Sequence, residues 1–247
     1  MIPFFRKIRK KMADDNRPLK YARYAIGEII LVVIGILIAL QINTWNEEQK
    51  TRILQTETLK EIRANLELDL AEINFDIDVM DSVSIAGEAV IHYLESGQVP
   101  SGSFKYHVHV SRTNPHFDAI KGGYSLLISK GLDIISNDSL RGAISKLYES
   151  NYPYYEKYEN ERVSTINDVV NPKLAQYFSF YWVDDNYFNG TSDIDQETYE
   201  KLKNDSQFIN VMNLMISQNK MVRNRAERTA GFIKDLIDFI DEELEGC

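Results

Sequence analysis

The sequence predicts an all-α protein: a single N-terminal transmembrane helix continuing into an elongated periplasmic helical bundle. Three observations carry this. Residues 25–42 form a nearly continuous apolar run, amphipathic patterns with apolar residues every three or four positions follow it, and basic residues crowd before the run while acidic ones dominate after it.

The apolar run is Ala25-Ile-Gly-Glu-Ile-Ile-Leu-Val-Val-Ile-Gly-Ile-Leu-Ile-Ala-Leu-Gln-Ile42. As a helix it reaches about 27 Å, the thickness of a bilayer's hydrocarbon core. Tyr21 and Tyr24 flank one end and Trp45 the other, where amphipathic rings favour the interface. A buried core helix and a cleaved signal peptide are the rival readings. Against cleavage, the apolar region is long and runs out as Ala39-Leu40-Gln41-Ile42-Asn43-Thr44-Trp45, with no small-x-small site and no lipidation cysteine.

Orientation follows from charge. Residues 1–43 carry eight basic and three acidic side chains, whereas the rest of the chain holds 20 basic and 34 acidic. Short basic flanks stay in the cytoplasm. The expected layout is a basic cytoplasmic tail (1–23), a transmembrane helix (24–44) and a periplasmic helical domain (45–247), in a bacterial inner membrane. The first dozen residues mix Phe4, Phe5, Ile8 and Met12 with five cations, which suits either an interfacial turn on an anionic leaflet or a plain topology signal.

After Trp45, Leu59, Ile62, Leu66, Ile73, Ile77 and Met80 recur at helical spacing. Gly87 and Ser96-Gly97-Gln98-Val99-Pro100 read as breakers. Residues 104–111 alternate like a strand, while Phe104/Val108 and Tyr106/Val110 pair equally well on a short helix; periodicity leaves both open. Ile120, Tyr124, Leu127 and Ile128 form a helical face ending at Gly131, a candidate C′ glycine. Ser136-Asn137-Asp138-Ser139 supplies N-cap chemistry for a helix with Leu140, Ile144, Leu147 and Tyr148, which Pro153 should kink or split. Residues 184–195 read as a loop. The last helix has the clearest seam: Phe208, Met212, Met215, Asn219, Val222, Ala226, Thr229, Ile233, Ile237, Ile240 and Leu244, in steps of three and four, the repeat of bundle packing.

Several blocks resemble an uncharacterised single-span membrane-protein family of Bacteroidota, a domain of unknown function. They are Phe4-Phe-Arg-Lys-Ile-Arg9, Tyr24-Ala-Ile-Gly-Glu-Ile29, the stretch Val33 to Glu47, and Tyr124 to Arg141. Lys130 stands where that family has a serine before the glycine turn. The resemblance implies this topology and no reaction, cofactor or ligand.

Composition narrows the function classes. A net charge of −9 argues against nucleic acid as a partner. The single Cys excludes a disulfide framework and Cys-cluster metal sites; Cys247 could join two chains or remain a free thiol. His107 and His109 would share a face on a strand near His116, a possible metal set, yet no His-Glu-x-x-His helix accompanies them. Lys121-Gly122-Gly123 lacks the spacing of a phosphate loop, and no Gly-x-Ser-x-Gly elbow occurs. Acidic pairs such as Asp76/Asp78 and Asp184/Asp185 read as solvated faces. Neither catalysis nor a cofactor is expected.

Two features are candidate contacts. Glu28 is an ionisable group inside the span, with Gly35 and Ala39 within about 20° of it on the same helix face, a small-residue stripe suited to close helix packing. The aromatic stretch containing Tyr154, Tyr155, Tyr181 and Trp182 serves either core packing or a recognition surface. The expected function is a non-enzymatic, membrane-anchored interaction or sensory module, with a second copy or another membrane or periplasmic protein as partner. The alternative is a single-span subunit of an ion-coupled complex in which Glu28 titrates.

Overall fold

The computed structural model describes residues 18–182 and 190–246, with side chains from Ala22 onward except Tyr24. The basic segment 1–17, the rings of Tyr21 and Tyr24, loop residues 184–189 and Cys247 lie outside the described residues. The chain divides into two units, Met1–Gln55 and Thr56–Cys247.

The helix α1 is Pro18–Ser96. Its apolar part in the first unit is the one segment, among the described residues, long and apolar enough to cross a membrane, and none of that window is buried. From Thr56 onward α1 belongs to the second unit. Leu59, Ile62, Leu66, Ile73 and Met80 have no exposed surface and Ile77 is buried, as their spacing predicts. The helix ends at Gly97, whose φ of +65° is the left-handed conformation that suits a helix C-terminus. Gly87 is not a breaker. A Cβ there would lie 2.6 Å from Met215 Cε and 2.9 Å from Ile216 Cγ1, so the glycine lets another helix approach.

Shorter helices follow: α2 (Gly102–Val110), α3 (Gly122–Lys130), α4 (Asp138–Lys146), α5 (Tyr152–Thr165) and α6 (Asn171–Ala175). The ambiguous 104–111 stretch is helical: Ser101 caps α2 by accepting from the Phe104 amide, and Phe104 and Val108 are buried one turn apart. Asn137 caps α4 as expected, accepting from Ser139 and Leu140 amides. Gly131 follows α3 with φ +99°. At Pro153 the α-helix is split, as expected, although the helical path continues through a π turn. That turn, Leu147–Asn151, precedes the proline, and a second, Ile166–Val170, precedes Pro172. A proline lacks the amide donor and its ring clashes one turn back; a widened turn is one way a helix absorbs that.

The all-α expectation needs one correction. Strands β1 (Ser179–Trp182) and β2 (Gly190–Asp193) pair antiparallel, Ser179 opposite Asp193 and Trp182 opposite Gly190. Gly190–Asp193 falls within the stretch read as loop, and four residues are too few for alternation to register. Gly190 sits against α2, where a Cβ would overlap the His109 ring. Ser192 Oγ donates to the Lys105 carbonyl at 2.7 Å, and Lys105 pairs with Asp193.

The chain closes with α7 (Gln196–Lys203) and α8 (Ser206–Glu245). The 40 residues of α8 extend about 60 Å. Every seam residue from Phe208 to Ile240 is buried, and Leu244 is half-buried. Three ion pairs tie α8 to α1: Arg63–Asp241, Arg223–Asp81 and Lys220–Glu88. Numbers rise along α1 as they fall along α8, so the two run antiparallel. Each exposed pair contributes little stability, but an 18-residue step on both helices fixes one register. Two hydrophobic clusters result. One joins Leu59–Met80 to α4, α5 and the C-terminal half of α8; the other joins Val79–Leu94 to α2, α6, α7 and the N-terminal half of α8.

Candidate functional site

The most concentrated chemistry in the second unit is a buried polar cluster at which α1, α5 and the segment 111–121 meet. On α1, positions 59, 62, 66, 69, 73, 76 and 80 step by three and four, and two of these buried positions are acids, Asp69 and Asp76. On α5 the same spacing brings in Tyr152, Tyr155, Glu159 and Arg162, all buried. The segment between α2 and α3 supplies Asn114, Pro115, His116 and Phe117.

Hydrogen bonds join these parts. Asp69 accepts from the Ile120 amide at 2.9 Å and from the Tyr152 hydroxyl at 2.7 Å. Glu159 Oε1 accepts from the Phe117 amide at 3.1 Å. Arg162, with no exposed surface, donates to Asn114 Oδ1 at 2.7 Å and to the Pro115 carbonyl at 2.5 Å. Its guanidinium lies 3.8 Å from Glu159, and the His116 Nδ1 lies 3.4 Å from Glu159 Oε2. The irregular segment is thus pinned by two acids and a guanidinium that would otherwise be costly to bury.

Not every atom is satisfied. Asp76 Oδ2, Glu159 Oε2 and Arg162 Nε are buried without a hydrogen bond. Burial, reinforced by Glu72, pushes the Asp76 carboxyl up to about 6, against the pull of Arg162 and His116. Burial likewise raises Glu159 to about 7, opposed by the Phe117 amide, Arg162 and His116. Beside Asp76 opens a cavity of about 240 Å³ lined by Glu72, Phe75, Val79, Thr113, Asn114, Pro115 and His116. Such a site can hold a cation or exchange a proton near neutral pH. Asp76 is therefore no part of a solvated acidic face.

The residues singled out from the sequence fall elsewhere. Glu28 is half-buried, Gly35 and Ala39 are exposed, and the three line one face of α1. A Cβ on Gly35 would meet nothing within 4 Å. Tyr154 is 56% exposed and lines a shallow cleft of about 390 Å³ with Arg225, Arg228 and Phe232. Tyr155 is no surface residue: it is 1% exposed, its ring 5.8 Å from Phe117 in the core, because it occupies the seam of α5. Tyr181 and Trp182 are exposed on β1, outside that cleft, with Trp182 edge-on to His109 at 5.1 Å.

The histidines separate as well. On a helix, two residues apart means nearly opposite sides, so His107 and His109 share no face. No group of three or more His, Cys, Asp or Glu among the described residues is arranged to hold a metal ion.

Residues 28–220 match the model of a family described only as of unknown function, DUF6090. The chain belongs to this family. The DUF6090 match takes in the Glu28–Gly35–Ala39 face, the whole buried cluster and the hairpin. It ends within α8, before Arg225, Arg228 and Phe232. No curated protein and no solved structure matches the chain.

Proposed function

We propose that this chain is a non-enzymatic interaction or sensory module anchored in a bacterial inner membrane by residues 25–42, its N-terminus in the cytoplasm and residues 45–247 in the periplasm. The observation that carries the reading is the apolar stretch itself, which spans about 27 Å and has no buried residue in its window. Exposed apolar surface of that extent is not sustained in water, and lipid is the environment that accepts it. The charge asymmetry about the stretch supplies the orientation. The face of Glu28, Gly35 and Ala39 is the contact through which a second span packs. Beyond the membrane, the unit's open chemistry is a cavity beside a buried acid, which suits binding better than turnover.

The test is topological. Alkaline phosphatase fused after residue 247 should be active, and a fluorescent protein that matures only in the cytoplasm should be dark at the same position. A dark phosphatase fusion with a bright fluorescent one would overturn the orientation and with it the periplasmic role.

A further inference from the structure

The cavity beside Asp76 combines three properties that do not arise from packing alone. Asp76 lines it, is 3% exposed, and leaves Oδ2 without a hydrogen bond. Glu72, one turn away on the same helix, adds a second carboxylate to the lining. Phe75 lies between them in sequence and is 59% exposed, although it lines the same cavity. A buried, incompletely bonded carboxylate is costly, and a large apolar ring left in the open beside it is uneconomical for a fold.

We propose that this cavity binds a small organic ammonium ion, with Asp76 and Glu72 as its counter-charges and Phe75 as its aromatic wall. The carboxylates of Asp76 and Glu72, both in the lining, supply the attraction for an ammonium ion. A ring face attracts an alkylated cation that has lost part of its hydration. A volume of about 240 Å³ suits a small organic ion. Arg162 and His116 offset part of this charge, but both also serve other partners: Arg162 donates to Asn114 and Pro115, and His116 lies 3.4 Å from Glu159 and from Asp118. An inorganic cation is disfavoured, since among the described residues no set of three carboxylates or imidazoles is grouped to ligate one.

The inference deepens the reading of the chain as a binding module and is independent of which side of the membrane the unit occupies. Asp76 faces Glu72 on α1, Glu159, Arg162 and Tyr155 on α5, and His116 from the segment 111–121. Among these groups it must be ionised to attract the ligand, so affinity should fall as pH drops from 7.5 towards 5.

Isothermal titration of the full chain in detergent tests this, with n-butylammonium and tetramethylammonium as probes, and 1-pentanol, butyrate and calcium as controls. The expected result at pH 7.5 is saturable binding of one equivalent of an ammonium probe, with no binding of the neutral or anionic analogues. Asp76→Asn should weaken it by at least about tenfold, the loss of one charged contact. Glu72→Gln, at a partly exposed position, guards against misfolding and should weaken it less. Phe75→Leu should weaken tetramethylammonium more than butylammonium. Absence of saturable ammonium binding, undiminished binding by Asp76→Asn, or displacement of the ammonium by calcium would overturn the proposal. None of these outcomes bears on the fusion reporters, which test the topology separately.

Discussion

Residues 25–42 and residues 59–80 both lie in α1 and are both rich in Ile, Leu and Val, yet they meet their surroundings in opposite ways. From Ile26 to Ile42 the large apolar side chains are 46–70% exposed, on all sides of the helix. From Leu59 to Met80 the seam residues Leu59, Ile62, Leu66, Ile73 and Met80 are at 0%, and the remaining faces are mostly polar and charged, with Leu68 and Phe75 the exposed large apolar residues. The first stretch has no period, the pattern expected of a helix whose surroundings are the same on every side. The second has a period near 3.6 because protein lies on one side and water on the other. Hydrophobicity alone does not separate the two; the arrangement of polar residues does.

Substitution sharpens the contrast most in the second stretch's partner. Ile233, fully buried on α8, replaced by Asp would bury an unpaired charge and should cost about 3–5 kcal/mol in denaturant unfolding of the full chain. The same replacement at Ile34, 50% exposed, should leave that unfolding transition unchanged and act on membrane insertion instead. Equal destabilisation by both would erase the distinction.

A smaller effect comes from pH. Asp76 rises from 3.8 to about 6 and Glu159 from 4.5 to about 7 on folding. When burial raises a carboxyl in the folded state, the fold prefers the neutral form. That stability is complete below the ordinary value and lost as pH climbs through the raised one. The wild type should therefore be less stable at pH 7.5 than at pH 4.5. The Asp76 share is about 2 kcal/mol after allowance for solvent screening. Asp76→Asn should remove that share, seen as a shallower fall in Tm between the two pH values. Parallel melting curves for the two proteins would contradict the assignment.

The same physics explains what the sequence disclosed. The seam of α8 was legible because eleven positions repeat without interruption, and the cap at Asn137 because its chemistry is local. The buried cluster was hidden although Asp69 and Asp76 stand in register with Leu59, Ile62, Leu66, Ile73 and Met80. Two acids at seam positions were the available signal, and reading acids as solvated by composition obscured it. His116, Asn114 and Arg162 meet only when the segment 111–121 folds across α1 and α5, a long-range event with no local pattern. The hairpin was missed because each strand has four residues, and Gly87 was misread because its role is set by Met215 and Ile216, more than 120 residues away.

The most direct test reads the surroundings of both stretches along α1. With Cys247 replaced by Ser, single cysteines introduced one at a time over 29–40 and 59–80 carry spin labels, in the full chain reconstituted in nanodiscs. Collision with oxygen, which concentrates in lipid, is compared with collision with a water-soluble nickel complex. Oxygen should dominate at every position of 29–40, while over 59–80 access to nickel should rise and fall every three to four residues, lowest at 59, 62, 66, 73 and 80. Nickel access throughout 29–40, or the same three-to-four-residue oscillation in both stretches, would contradict the account.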